Sequence, residues 1–205
     1  MNDAGSGHPP NFPVVALVAS AGGLDALSQV LAPLPADLPA AVLVLQHQSP
    51  DHQDRLAHIL DRRTALRVST AKDHDPLTRG TVLVAPSAHH LLVTSQARIG
   101  LIDSGALPPA RPSADLLLAT LAVTCGPRAL AVVLTGKGHD AQAGVRAVHH
   151  CGGTVLAQDQ ATSEHFGMPS AAATTSLVHA VLPLQDIARQ IHTHVTTMQA
   201  LRGSR

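Results

Sequence analysis

Pro13–Ala19 reads PVVALVA, and the residues that follow it decide the fold. The run is continuously apolar and rich in Val, without the alternation of a half-buried strand, so it predicts a strand covered on both faces, as parallel strands are. Ser20-Ala21-Gly22-Gly23 then supplies a tight turn, and Leu24–Leu31 spaces its apolar residues at helical intervals before the helix breakers Pro33–Pro39. Ala41–Gln46 (AVLVLQ) repeats the strand, and Asp51–Arg62 repeats the helix with Leu56, Ile59 and Leu60 on one face. Two β-α units in succession predict a doubly wound α/β domain, a mostly parallel sheet with helices on both faces.

Further along, the pattern changes. Leu66–Thr70, Thr81–Ala85, His90–Thr94 and Arg98–Ile102 are short strand-like segments with turn residues and no helix between them, which predicts a small antiparallel patch. Ser113 stands where an N-cap belongs for a helix over Ala114–Val123, with Asp115 in its first turn to suit the dipole. Ala129–Thr135 (ALAVVLT) is a third buried strand, Ala141–His150 a helix stopped by Gly152-Gly153, and Thr154–Ala157 a further short strand. Met168–Thr174, with Pro169 near its start, and Leu184–Gln199 complete the helices.

A chain of 205 residues suits one substantial domain, since domains usually run about 100–200 residues. The expected organisation is a flexible lead-in over 1–12 and a single domain over 13–201. Lys plus Arg equal Asp plus Glu at 14 each, so no basic field for nucleic acid is implied. With two Phe and no Tyr or Trp, base-stacking and sugar-stacking platforms are also excluded. Cys125 and Cys151 are the two thiols and have no CxxC spacing, which fits a reduced interior. Residues 1–13 do not read as a signal peptide, and the apolar runs fall far short of the roughly 18–20 residues of a membrane span. A cytoplasmic protein without an integral membrane segment is expected.

Three polar residues stand at or just past the ends of apolar strands: Ser20 after PVVALVA, His47 after AVLVLQ and Asp140 beyond ALAVVLT. Open parallel sheets bind ligands outside the carboxyl ends of their strands, so the three are candidates for one site. Together they are the set needed for nucleophilic acyl transfer, in which an imidazole activates a hydroxyl and a carboxylate orients the imidazole. Each also has a plain structural role open to it. Ser20 suits a turn or N-cap hydroxyl, Asp140 an N-cap on the following helix, and His47 is one of 14 histidines. The Ser20 turn lacks the first glycine of G-x-S-x-G, and Gly22 and Gly23 form neither a dinucleotide nor a Walker loop. Asp73-His74-Asp75, His89-His90, His149-His150 and His192-Thr193-His194 invite a metal reading, but no H-E-x-x-H or Cys/His cluster occurs, and surface histidine is the expectation. Asp54 and His58 are expected on a solvated face of the second helix.

VVALVASAGGLDAL, VLVLQHQSP, GTVLVAPSAHHLLV, RPSADLLL, AVVLTGKGHDAQAG and VLAQDQATSEHFGMPSAA resemble, in order, segments of the CheB-type protein-glutamate methylesterases that act on chemotaxis receptors. The resemblance covers about residues 14–195. It implies a serine hydrolase that demethylates glutamate methyl esters on methylated chemoreceptors or similar helical proteins, and in some members deamidates glutamines. The implied nucleophile is Ser20, the general base His47 and the orienting acid Asp140. The oxyanion donor that the resemblance implies is the backbone N–H of Lys137, and the Gly22-Gly23 turn is a candidate second source. No metal and no organic cofactor is implied.

The chain departs from the family pattern at several points. Lys137 replaces a usual Met, Ala21 a frequent Thr, and Ser163-Glu164-His165 a more apolar stretch. No receiver domain is expected within the chain, because only about a dozen residues precede the first strand, so the regulator is left open. Two other readings stand beside the hydrolase: a non-catalytic interaction module on the same fold, and a small-molecule carboxylesterase.

Overall fold

A computed structural model describes residues 9–48, 55–103 and 112–203. The elements are, in chain order, β1 (Val14–Ala19), α1 (Gly23–Leu31), β2 (Ala41–Gln46), α2 (Leu56–Asp61), β3 (Arg67–Thr70), β4 (Thr81–Val84), β5 (His89–Val93) and β6 (Ile99–Asp103), then α3 (Ala114–Cys125), a 3-10 turn, β7 (Ala129–Val133), α4 (Gln142–His150), β8 (Thr154–Gln158), α5 (Gly167–Ala173), β9 (Ala180–Leu182) and α6 (Leu184–Gly203).

The seven strands other than β5 and β6 form one sheet in the order β3-β4-β2-β1-β7-β8-β9. Every pairing in it is parallel. The central strand shows why its sequence is apolar throughout. Val14, Ala16 and Val18 face a core shared with Leu117, Leu118 and Leu121 of α3 and Val145 and Val148 of α4. Val15, Leu17 and Ala19 face the opposite core, with Leu27 and Leu31 of α1, Leu60 of α2 and Ile187 and Ile191 of α6. Alternate residues of a strand point to opposite faces, so a strand covered on both sides must be hydrophobic at every position. The chain fills the half of the sheet beyond β2 first and crosses after β4 to begin the other half at β7, so the two halves meet at β1.

Segment 66–103 is not one antiparallel patch. Only β5 and β6 pair antiparallel, as a two-stranded hairpin. Its Leu91, Val93 and Ile99 join the core under α3. β3 and β4 instead extend the main sheet in parallel. Parallel neighbours are usually joined through a helix, which is the signal that sequence reading relies on. Here the connection over 71–80 has no helix, and part of its backbone bonds to the hairpin. His74 N–H donates to Ile99 O (2.9 Å) and Ile99 N–H donates to Asp75 O (2.9 Å).

Smaller differences follow local physics. α2 begins at Leu56, and Asp54 and the rest of 51–54 lie outside the described residues. The three-residue edge strand β9 was not anticipated, and α6 runs four residues beyond Gln199. Among the described residues no helix is long and apolar enough to cross a membrane.

Helices α3 and α4 pack side by side on one face of the sheet, and the seam closes at Gly144. A Cβ there would lie 2.5 Å from Leu118 Cβ and 3.2 Å from Asp115 Cα. Overpacking a close contact of this kind costs about 1–3 kcal/mol. Gly144→Ala is therefore expected to lower stability by about that amount in urea unfolding, and Gly144→Val by more.

Candidate active site

The first strand pair fixes two of the three residues. Ala19 faces Gln46 in the β1–β2 register, and His47 N–H donates to Ala19 O (3.0 Å), so Ser20 and His47 are the next residues at the carboxyl ends of neighbouring strands. On the other side of β1, Ser20 N–H donates to Thr135 O (3.0 Å), just past the end of β7. The chain then turns sharply, with Gly23 N–H closing on Ser20 O (2.9 Å). Gly22, at φ 76°, occupies the N-cap position of α1, and no side chain caps that helix, so Ser20 does not serve as its cap. Gly136 passes so close that a Cβ on it would stand 2.8 Å from Ser20 Cβ.

The result is a cleft of about 350 Å³ whose walls include Ser20, Ala21, Gly22, Gly23, Gln46 and His47. Among the described residues the Ser20 hydroxyl makes no hydrogen bond. The backbone N–H groups of Gly22 and Lys137 are likewise unengaged among the described residues, whereas that of Gly23 is spent on Ser20 O.

Asp140 reaches the site from the seam between α3 and α4. His47 Nε2 lies 2.8 Å from Asp140 Oδ2, and the two side chains are only 12% and 15% exposed. Asp140 is not the N-cap of the following helix. That position belongs to Ala141, at φ 107° and with no side-chain cap. The Asp140 carboxylate instead accepts from the first two N–H groups of α3, Ala114 N (2.7 Å) and Asp115 N (2.9 Å). Ser113 caps the third, accepting from Leu116 N (3.3 Å) as the sequence predicts. These N–H groups have no partner within their own helix, and the positive end of the helix dipole favours an anion there.

The return contact comes from Asp115. Its carboxylate accepts from Ala141 N (3.0 Å) and Gly144 N (2.8 Å), the first turn of α4. Each of two adjacent helices thus has its N-terminus held by an acidic residue belonging to the other's neighbourhood. Burial is the largest influence on both carboxyl groups, but the outcomes differ. For Asp140, the bond from His47, the N–H groups of Asp115 and Ala114 and the charge of His47 together outweigh burial and hold its pKa below the ordinary value. For Asp115, burial wins: the Gly144 N–H opposes it, the nearby Asp140 charge adds to it, and the pKa is raised.

An ionised carboxylate only accepts hydrogen bonds, so the 2.8 Å contact requires a proton on His47 Nε2, and in the neutral imidazole Nδ1 is then the basic nitrogen. The arrangement is thus a hydroxyl, an imidazole with one nitrogen anchored, and a fixed anion at a single sheet edge, groups whose chemistry can support nucleophilic attack on a carbonyl.

Residues 15–191 match the model of the family described as CheB methylesterase. The chain belongs to that family. It is 42% identical over 179 residues to the protein-glutamate methylesterase FrzG of Myxococcus xanthus, covering 87% of this chain and 54% of that protein. It is also 42% identical over 194 residues to a protein-glutamate methylesterase/protein-glutamine glutaminase of Moorella thermoacetica, covering 93% and 46%. The crystal structure of the Thermotoga maritima CheB methylesterase catalytic domain aligns with a TM-score of 0.86 at 32% identity, over 91% of this chain and all of that one. The chain spans about half the length of the curated relatives it matches.

Within the CheB methylesterase fold, sequence reading missed two residues that build the site. The sequence suggests Asp115 as a dipole-matching residue of α3, whereas its carboxylate's partners are at the start of α4. Thr135 reads in the sequence as the end of a strand. Its hydroxyl accepts from His165 N (2.9 Å) and lies within donor reach of Ala21 O (3.1 Å) and His165 O (3.2 Å), and its N–H donates to Gln158 Oε1 (2.8 Å). It joins the Ser20 turn to the loop after β8. Only the polar character of a strand-end threonine hinted at this.

Because the Asp140 pKa is lowered, its stabilising contribution is present above the unfolded value of about 3.9 and disappears as pH falls through the folded value. Asp140→Asn is expected to cost about 1–3 kcal/mol near neutral pH. In urea unfolding along a pH series, the gap to wild type should close below about pH 4.

Proposed function

We propose that this chain is a serine hydrolase that removes methyl groups from glutamate methyl esters on chemoreceptor or similar helical proteins in the cytoplasm, with glutamine deamidation as a second activity. Ser20 is the nucleophile, His47 the general base and Asp140 the group that orients and stabilises the imidazolium. The observation that carries this reading is the 2.8 Å contact between His47 and Asp140 beside an unengaged Ser20 hydroxyl, in a chain of the CheB methylesterase family. The names of the relatives support the substrate, and those relatives that carry both activities in their names support the deamidation.

In this mechanism His47 Nδ1 takes the Ser20 proton as Oγ attacks the ester carbonyl, and the imidazolium returns it to the departing methanol. Water, activated by the same nitrogen, then cleaves the glutamyl-enzyme and regenerates Ser20. The tetrahedral oxyanion needs N–H donors already in place. The unengaged backbone N–H groups of Lys137 and Gly22 support that role, and the engaged one of Gly23 does not. One such donor contributes about 3–4 kcal/mol to this kind of transition state. Since the donor at 137 is backbone, the lysine side chain does not remove it.

The test is labelling with a fluorophosphonate, read by intact mass and peptide mapping, together with methanol release from a peptide glutamate methyl ester. A single adduct on Ser20 is expected, absent in Ser20→Ala and slowed in His47→Ala. Ser20→Ala and His47→Ala should each lose about a thousand-fold or more of ester hydrolysis. Full hydrolysis by Ser20→Ala would sink the assignment, and a folded protein that takes no label would turn the reading towards an interaction module.

A further inference from the structure

The loop after β8 folds back onto the turn that carries Ser20. His165 N–H donates to Thr135 Oγ1 (2.9 Å), Gly136 N–H donates to His165 O (2.9 Å), and Met168 N–H donates to Gly136 O (2.9 Å). Ahead of it, Thr162 N–H donates to Asp159 Oδ1 (2.9 Å). Glu164 lies between these anchors, and its side chain runs along Gly22. A Cβ on Gly22 would stand 2.6 Å from Glu164 Oε2 and 2.9 Å from Glu164 Cβ. Gly22 lines the same cleft as Ser20 and His47, so a carboxylate is held against the rim of the site.

That carboxylate remains available to a substrate. Its side chain is 65% exposed, and its ion-pair contact is with His165 Nε2 at 3.5 Å. A second carboxylate, Asp25, also lines the cleft and is 82% exposed, 3.8 Å from Arg63 Nη1. Lys137, exposed on the neighbouring loop, brings an opposing charge to the surroundings. A methyl ester is neutral, so Glu164 has little to act on in the reacting group before attack. It acts on the charge that the substrate carries beside the ester.

We propose that Glu164 is a specificity-determining residue, which selects esters flanked by a basic side chain and disfavours those flanked by an acidic one. This deepens the methylesterase reading and takes its substrate from it. The physical ground is that unlike charges near a partly exposed rim attract and like charges repel, by modest amounts that fade with salt.

Three peptides, differing only in Lys, Gln or Glu immediately after the target residue, test it. Each is made with a glutamate methyl ester at the target and, separately, with glutamine as its isostere. Hydrolysis of the esters by wild type and Glu164→Gln gives kcat/KM ratios, and binding of the glutamine peptides to Ser20→Ala, with and without Glu164→Gln, gives the same ratios without chemistry. Wild-type preference for the Lys flank over the Glu flank should be about five-fold at low ionic strength and shrink towards unity near 0.5 M salt. With Glu164→Gln it should fall to about two-fold or less. A binding ratio unchanged by Glu164→Gln, a preference for the acidic flank, or failure of all three peptides to bind overturns the proposal. Ratios that behave as stated in binding while wild type hydrolyses none of the esters overturn the methylesterase reading and leave the charge preference standing.

Discussion

Asp140 and Asp115 cross the seam between two helices in opposite directions, and the geometry of the site depends on that crossing. Helices α3 and α4 each present N–H groups that their own turns cannot satisfy, and both N-termini lie close to the same sheet edge. The carboxylate just ahead of α4 serves α3, and the carboxylate within α3 serves α4. Gly144 lets the two helices come near enough for this to happen. Asp140 is therefore immobilised by backbone before His47 is considered, and the imidazole meets an anion whose position is already set. Preorganisation of this kind is what makes a charged group effective in catalysis, because nothing has to rearrange as charge develops.

The other half of the site is set by an unrelated device, the parallel register of β1 and β2. Ser20 and His47 follow from that register as adjacent strand ends. Thr135, next in line from β7, ties the Ser20 turn to the loop over it. The His47–Asp140 contact is where strand register and helix capping meet. A shift of one residue in either would separate the pair, so the contact is a joint outcome of sheet and helix packing.

Ser20 and His47 were legible in the sequence because a strand end is a local event: an apolar run stops and a polar residue follows. The central strands were legible for the same reason, since burial on both faces leaves a continuous apolar signature. β3 and β4 read in the sequence as part of the antiparallel patch because their connection carries no helix, and a loop gives no indication of which distant strand will pair with it. The sequence marks Asp140 as a candidate, but the cap it suggests is on α4, whereas the carboxylate holds the start of α3. The usual cap rule looks just downstream, where Asp140 accepts only from Ala141 N (3.1 Å), and its two further backbone partners are 25 and 26 positions upstream. Glu164 is marked in the sequence only as part of Ser163-Glu164-His165, which departs from a more apolar stretch of the family pattern. Its place against Gly22 depends on how the loop after β8 folds back, which no local pattern encodes.

Asp140 and Ser20 differ in what else they do, and that difference governs how each would fare if selection for the proposed hydrolysis were relaxed. Asp140 holds the start of a helix, so its loss would be penalised in an inactive descendant as surely as in an active one. The Ser20 hydroxyl has no bond to protect among the described residues, and nothing in the packing would preserve it. Across relatives that share this architecture, a retained aspartate would testify to folding, and a retained serine to chemistry.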